Sequence, residues 1–274
     1  METTVTVGAD TVWAEDSGGS GPALVLLHPG VGDGRIWDLM WPALTGRYRV
    51  IRYEVRGYGR SPAATETYTL AGDLRQVLDH FGIGQAHLVG CSMGGIASVD
   101  LAVADPGRVR SLTLLCPAIS GYPFPEEPPE LIAEWEKIVG DEDAMVAFYQ
   151  RMWAAAGAEP EVLEQLRSAI RAEPNEEEFQ RPAEHPAWDR LHELRVPAIV
   201  MVGDRDRPAL IACDEEAARR IPGGRLIRMP GVDHLPPLRE PGLITATILA
   251  QVRAAEEPGS AAAADQVSGG QGQS

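Results

Sequence analysis

Apolar residues along this chain fall into two alternating rhythms. Short runs at Ala23 to Leu27, Val50 to Tyr53, Ala86 to Val89, Leu112 to Leu115, Ala198 to Val202 and Leu226 to Met229 read as strands. All but the second are nearly all apolar, as strands covered on both faces are. Between them lie segments of helical period, such as Leu70, Leu74, Val77, Leu78 and Phe81, with Thr69 placed to cap. Strand, helix and strand in repetition predict the α/β class: a mostly parallel sheet with right-handed crossovers. Val5 to Val7 and Thr11 to Ala14, around Gly8, read as an antiparallel hairpin added at one edge.

The alternation stops between about Ala118 and Pro186, where three helical patterns occur and no strand: Leu131, Trp135, Ile138, Val139; then Met145, Phe148, Tyr149, Met152; then Leu163, Leu166, Ile170. The expected organisation is therefore a core of residues 1–118 and 186–255, an all-helical insertion at 119–185, and a disordered Ala/Gly/Ser/Gln tail at 256–274. Prolines at Pro123, Pro125 and Pro182 break helices and offer hinges at both ends of the insertion.

Charge narrows the partners. With 24 basic and 40 acidic residues the net charge is −16, and such a field opposes capture of nucleic acid or of an anionic membrane surface. Met1 to Asp10 has no basic and apolar leader pattern, and nowhere are there about 18 consecutive apolar residues, so a cytoplasmic location is expected. Cys91, Cys116 and Cys213 are too few and too scattered for a disulfide framework or a metal knuckle, and read as reduced, mostly buried thiols.

The chemistry concentrates at strand ends. After the Ala86 to Val89 strand stands Gly90-Cys91-Ser92-Met93-Gly94-Gly95, followed by an apolar helix. This is Gly-x-Ser-x-Gly in the strand, turn and helix context that gives it meaning: a strained turn lifts Ser92 to a helix N-terminus. Cys91 is not the nucleophile, because the matching upstream glycine position is Val89. A serine needs an oriented base. Of six histidines, only His234 falls in a loop after the last core strand, at the sheet edge of Ser92. A carboxylate must fix its tautomer, and the turn after Ala198 to Val202 offers Asp204 and Asp206, with Asp206 favoured because it stands just before the next element. A metal reading of Asp204-x-Asp206 lacks a third ligand nearby, and no cofactor or metal is expected. Donors for an oxyanion would be the Met93 N–H and a backbone N–H of the glycine-rich loop His28 to Gly34, which lacks the Gly-Lys-Ser/Thr ending of a phosphate loop.

From Val5 to Arg253 the chain resembles an α/β-hydrolase of the esterase, lactonase and C–C hydrolase branch. The residues that carry the likeness are His28-Pro29-Gly30 with Trp37, Arg56-Gly57-Tyr58-Gly59-Arg60-Ser61, Gly90 to Gly95, Gly203-x-x-Asp206, and Asp233-His234 with Glu240-Pro241. The resemblance implies the α/β-hydrolase fold, with helices on both faces of the sheet and a helical cap. It also implies nucleophile Ser92, acid Asp206, base His234, and oxyanion donors Gly30 and Met93. The family usually has His-Gly where His28-Pro29 stands, which leaves Gly30 and Val31 as alternatives for the loop donor. It commonly has Asp at Glu54, a position expected to be structural. The expected function is hydrolysis of an ester or lactone of a small, fairly apolar molecule through an acyl-enzyme, under a cap whose Trp135, Phe148 and Trp153 are candidates to line the pocket. The same three residues would also serve C–C hydrolysis, perhydrolysis or a non-hydrolytic rearrangement, or a small-molecule receptor that retains them.

Overall fold

The computed structural model describes residues 1–257 of the 274. One eight-stranded sheet runs through it: β1 (Glu2–Val7), β2 (Asp10–Asp16), β3 (Ala23–Leu27), β4 (Arg49–Tyr53), β5 (Ala86–Cys91), β6 (Val109–Leu115), β7 (Ala198–Gly203) and β8 (Arg225–Met229), in spatial order β1-β2-β4-β3-β5-β6-β7-β8. β1 and β2 form the antiparallel hairpin at one edge, with Gly8 at φ +60° in its turn, and β2 runs antiparallel to β4. The remaining pairs are parallel.

Apolar runs arise because both faces are covered. In β3, Val25 and Leu27 enter one core cluster with Leu74 and Val77 of α2 (Leu70–His80) and Val99 of α3 (Met93–Ala104). Leu24 and Leu26 enter the other, with Leu44 of α1 (Trp41–Thr45) and Ile244 and Ile248 of α9 (Pro241–Glu256). The period of two thus splits one hydrophobic run between two layers. β8 departs from the expectation. Its residues are mostly exposed and Leu226 is 37% exposed, because it closes the sheet with no strand beyond it. The expected cap of α2 is present, Thr69 accepting from the Gly72 N–H.

Between β6 and β7 stand α4 (Pro129–Ile138), α5 (Glu142–Trp153) and α6 (Pro160–Phe179), each at one of the three helical patterns. They share a small cluster of Met145, Val146 and Ile170, flanked by Trp135, Ile138, Tyr149 and Leu163. α7 (Pro208–Arg220) follows β7, and α8 (Pro236–Arg239) precedes α9. Helix α9 carries Glu256, where the tail was expected to begin; from Pro258 on, that expectation lies outside the described residues.

Buried charge ties the first half together. Arg56, 2% exposed, donates to Asp10 at 2.7 Å and to both oxygens of Asp73 at 2.7 and 2.8 Å, joining the hairpin to α2. An unpaired guanidinium there would carry a desolvation cost of several kcal/mol.

Candidate active site

Strand β5 turns into α3 through Ser92, whose φ of 49° and ψ of −110° lie outside the ordinary regions for a side-chain-bearing residue. The surroundings enforce the turn. A Cβ on Gly90 would meet the Gly94 carbonyl oxygen at 2.3 Å, and one on Gly94 would meet the Leu27 carbonyl oxygen at 2.3 Å. The Ser92 N–H donates to Leu115 at 3.0 Å, while its carbonyl accepts from Gly95 at 2.7 Å and Ala118 at 3.1 Å. The hydroxyl is left half-buried above the sheet edge.

His234, 1% exposed, meets it from the loop after β8, with Nε2 at 2.8 Å from Ser92 Oγ and Nδ1 at 2.7 Å from Asp206 Oδ2. A carboxylate only accepts, so Nδ1 carries the proton and Nε2 is free to accept from the serine. Asp206 also accepts the Arg207 N–H at 2.6 Å. Asp204 instead points away: it is exposed and accepts the Gly231 N–H at 2.6 Å. The two turns fit closely, since a Cβ on Gly203 would meet the Val232 carbonyl oxygen at 2.2 Å.

The other histidines are placed elsewhere. His28 is 1% exposed; its Nδ1 donates to the Pro29 carbonyl at 2.9 Å and its Nε2 accepts from Val55 at 3.0 Å. Burial pushes its imidazole down, toward the neutral form. His87 pairs with Ser111 and Glu256, and His80, His185 and His192 are exposed.

Met93 opens α3, so its N–H is among those without a partner inside the helix. Gly30 lies beside it: a Cβ built there would be 3.8 Å from the Met93 Cβ. Val31 instead turns its side chain into the core with Trp37. Two buried acids stiffen this region. Asp33 accepts from Arg35 and from Ser168 of α6 at 2.6 Å, and its N–H donates to Gln165 of α6 at 2.8 Å. Burial alone would raise the Asp33 carboxyl, but the hydrogen bonds from Arg35 and Ser168 outweigh it and hold the group below the usual carboxylate range. Glu54 accepts the Arg60 N–H at 2.5 Å and its guanidinium at 2.7 Å, a structural arrangement.

Of the three aromatic residues expected near the pocket, Trp153 is the one at the site. Its ring centroid is 4.8 Å from that of His234, Arg207 covers it at 4.9 Å, and its carbonyl accepts the His234 N–H at 3.2 Å. Trp135 of α4 packs on Phe148 of α5 at 5.3 Å, and both rings pack on Tyr149 of α5. Asp233 fixes the same loop from the other side, accepting from Ala156 at 2.9 Å and from Arg239 at 2.8 Å.

Two features went unread in the sequence. The Tyr58 hydroxyl donates to Glu176 of α6 beside Gly30; Tyr58 lies in the Arg56 to Ser61 motif, which discloses no partner for it, and Glu176 sits in an acidic run that resembles any solvated surface. Ligand atoms of Cys116, Asp206 and His234 also lie within 4.8 Å of one another, a third potential ligand for Asp206 that local spacing did not disclose. Burial pushes the Cys116 thiol well up, away from the thiolate that binds metals, and the facing Nδ1 and Oδ2 atoms are spent on each other. All three cysteines are free and buried, as expected.

This fold recurs in known proteins. The alpha/beta hydrolase family model matches residues 24–247. A pimeloyl-(acyl-carrier protein) methyl ester esterase of Methylococcus capsulatus is 31% identical over 245 residues, covering 81% of this chain and 91% of that one. The solved enol-lactonase of Burkholderia xenovorans superposes with a TM-score of 0.75 at 23% identity, covering 92% of this chain and 100% of that one. A thermophilic esterase of Thermogutta terrifontis gives 0.74 at 25% identity, covering 94% and 100%. The chain belongs to the alpha/beta hydrolase family and is a hydrolase of that type.

Proposed function

We propose that the protein hydrolyses an ester or lactone of a small, fairly apolar molecule through an acyl-enzyme, with Ser92 as nucleophile, His234 as base and Asp206 as the acid that orients it. The observation that carries this reading is the continuous chain from Ser92 Oγ to His234 Nε2 at 2.8 Å and from His234 Nδ1 to Asp206 Oδ2 at 2.7 Å. His234 takes the hydroxyl proton as Ser92 attacks the carbonyl carbon, and the imidazolium that forms is stabilised by Asp206. The C–O bond to the leaving group breaks as His234 returns the proton to the alkoxide. Water, deprotonated by His234, then attacks the acyl carbon, and the bond to Ser92 Oγ breaks as His234 returns the proton to that oxygen, releasing the acid.

Negative charge on the tetrahedral intermediate is received by the N–H groups of Met93 and Gly30, each worth about 3 kcal/mol in the transition state. Gly30 is preferred to Val31 on its closeness to Met93. The segment 119–185 is proposed as a cap: Trp153 touches His234, and α6 bonds to the loop carrying Asp33. The esterase and lactonase activities named for the similar proteins support the substrate class.

Intact-protein mass spectrometry with a fluorophosphonate probe tests the assignment. One adduct on the wild type and none on Ser92→Ala is expected, together with steady turnover of a short-chain ester. Labelling of Ser92→Ala would overturn it.

A further inference from the structure

Helix α6 brings one carboxylate to the edge of the proposed oxyanion site. A Cβ built on Gly30 would lie 3.5 Å from the Tyr58 hydroxyl, 3.8 Å from the Met93 Cβ and 3.9 Å from Glu176 Oε2, so these groups surround one point. Glu176 is half-buried and accepts from Tyr58. Among the described residues it has no cationic partner, although most of the buried acids of this chain have one, as Asp10, Asp73, Asp33 and Asp233 do. Burial pushes its carboxyl up, and the hydrogen bond from Tyr58 only partly offsets this.

That placement is costly for the proposed reaction. A carboxylate here opposes the negative charge that develops on the substrate oxygen, and low local polarity enlarges the effect. The opposition is relieved when something neutralises Glu176. Its chemistry says what: a carboxylate has about four acceptor positions, Tyr58 occupies one, and the rest can only receive donors. The Tyr68 hydroxyl, buried and without a hydrogen-bond partner, is close enough to feel the Glu176 charge. A carboxylate among phenol rings is a setting that favours a cation.

We infer that Glu176, held by Tyr58, is the specificity residue of this site and selects esters or lactones that carry an ammonium group a few bonds from the scissile carbonyl. The inference rests on the proposed roles of Ser92, His234 and Asp206. The bound cation satisfies Glu176 and removes its repulsion of the oxyanion, so part of the binding energy appears only as charge develops. A substrate carboxylate at the same place would meet Glu176 and the −16 net charge of the chain, and is excluded on both counts.

Four esters of one length, ending in methyl, hydroxyl, ammonium and carboxylate, test it, with kcat/KM measured for the wild type, Glu176→Gln and Tyr58→Phe. The wild type should prefer ammonium to methyl by about 10- to 100-fold, the range of one charge-assisted hydrogen bond, with hydroxyl between them and carboxylate last. Glu176→Gln keeps an acceptor for Tyr58 but no charge, so its ammonium-to-methyl ratio should fall toward one, and Tyr58→Phe should lower the ratio partway. Each ratio is taken within one variant, which cancels differences in folding or active fraction. In the wild type the ratio should also shrink as falling pH protonates Glu176. A wild-type ratio of one, or a Glu176→Gln ratio as large as that of the wild type, overturns the inference. Fluorophosphonate labelling separates the two readings: a labelled enzyme that does not discriminate sinks the role of Glu176 alone, and an enzyme that neither labels nor turns over any of the four sinks both.

Discussion

At the scale of single residues, the two aspartates after β7 make the sharpest contrast. Asp206 Oδ2 bonds His234 Nδ1, whereas Asp204 supports the turn at Gly231. Asp206→Asn should therefore lower kcat by about 10³- to 10⁴-fold, because an amide can hold the ring in the tautomer that no longer accepts from Ser92. Asp204→Asn retains an oxygen for the Gly231 N–H and should keep activity within a few fold. Steady-state kinetics on an activated short-chain ester, with probe labelling to count folded enzyme, decides between them; the opposite ranking would move the acid by two residues. Local sterics made this part of the site legible, since Gly90, Ser92 and Gly94 carry the whole turn within five positions. Tyr58 with Glu176, and Asp33 with Gln165, were not legible. Their partners stand 118 and 132 residues apart, and only packing of α6 on the loops brings them together.

At the scale of elements, the rhythm of apolar positions marked the strands and helices well because each needs only its own face to be buried. It failed where neighbours decide. β8 reads as a covered strand but closes the sheet, so Leu226 stays exposed and Ile227 only half-buried, while Met229 is in the core. The three insertion helices likewise show an apolar stripe whose direction no periodicity reveals. The structure sorts it: Trp153, on the last turn of α5, reaches His234, and Trp135 and Phe148 face Tyr149. Trp153→Ala should then change both acyl-chain selectivity and kcat, by roughly tenfold or more, as the His234 ring loses a supporting wall and water enters. Trp135→Ala should lower thermal stability by a few kcal/mol at most, since the ring is only half-buried, and leave the selectivity profile intact. A chain-length series of esters and a melting curve on both variants check this; equal selectivity changes would place Trp135 in the pocket wall.

At the scale of the whole molecule, the helical insertion leaves and rejoins the sheet at one polar knot. The Ser120 hydroxyl donates to Asp100 of α3 and accepts the Ala187 N–H at 2.7 Å, so entry and exit of the segment meet on one carboxyl. Burial pushes that carboxyl up to about 6 from 3.8, against the hydrogen bonds from Ser120 and Ala187. A folded-state value above the unfolded one means that the native protein binds more protons between those limits, so stability falls as pH rises from 3.8 to about 6 and is level beyond. The loss is on the order of 2–3 kcal/mol. Asp100→Asn keeps an acceptor for Ser120 but has no charge to bury. Its melting temperature relative to the wild type should therefore rise on going from acidic to neutral buffer, by roughly 5 °C for a chain of this size. Other carboxyls titrate alike in both proteins and cancel in the difference. A melting-temperature difference that stays constant from pH 4 to pH 7.5 would mean that Asp100 is charged at no cost in the folded state, and that the knot at Ser120 and Ala187 holds without any dependence on its proton.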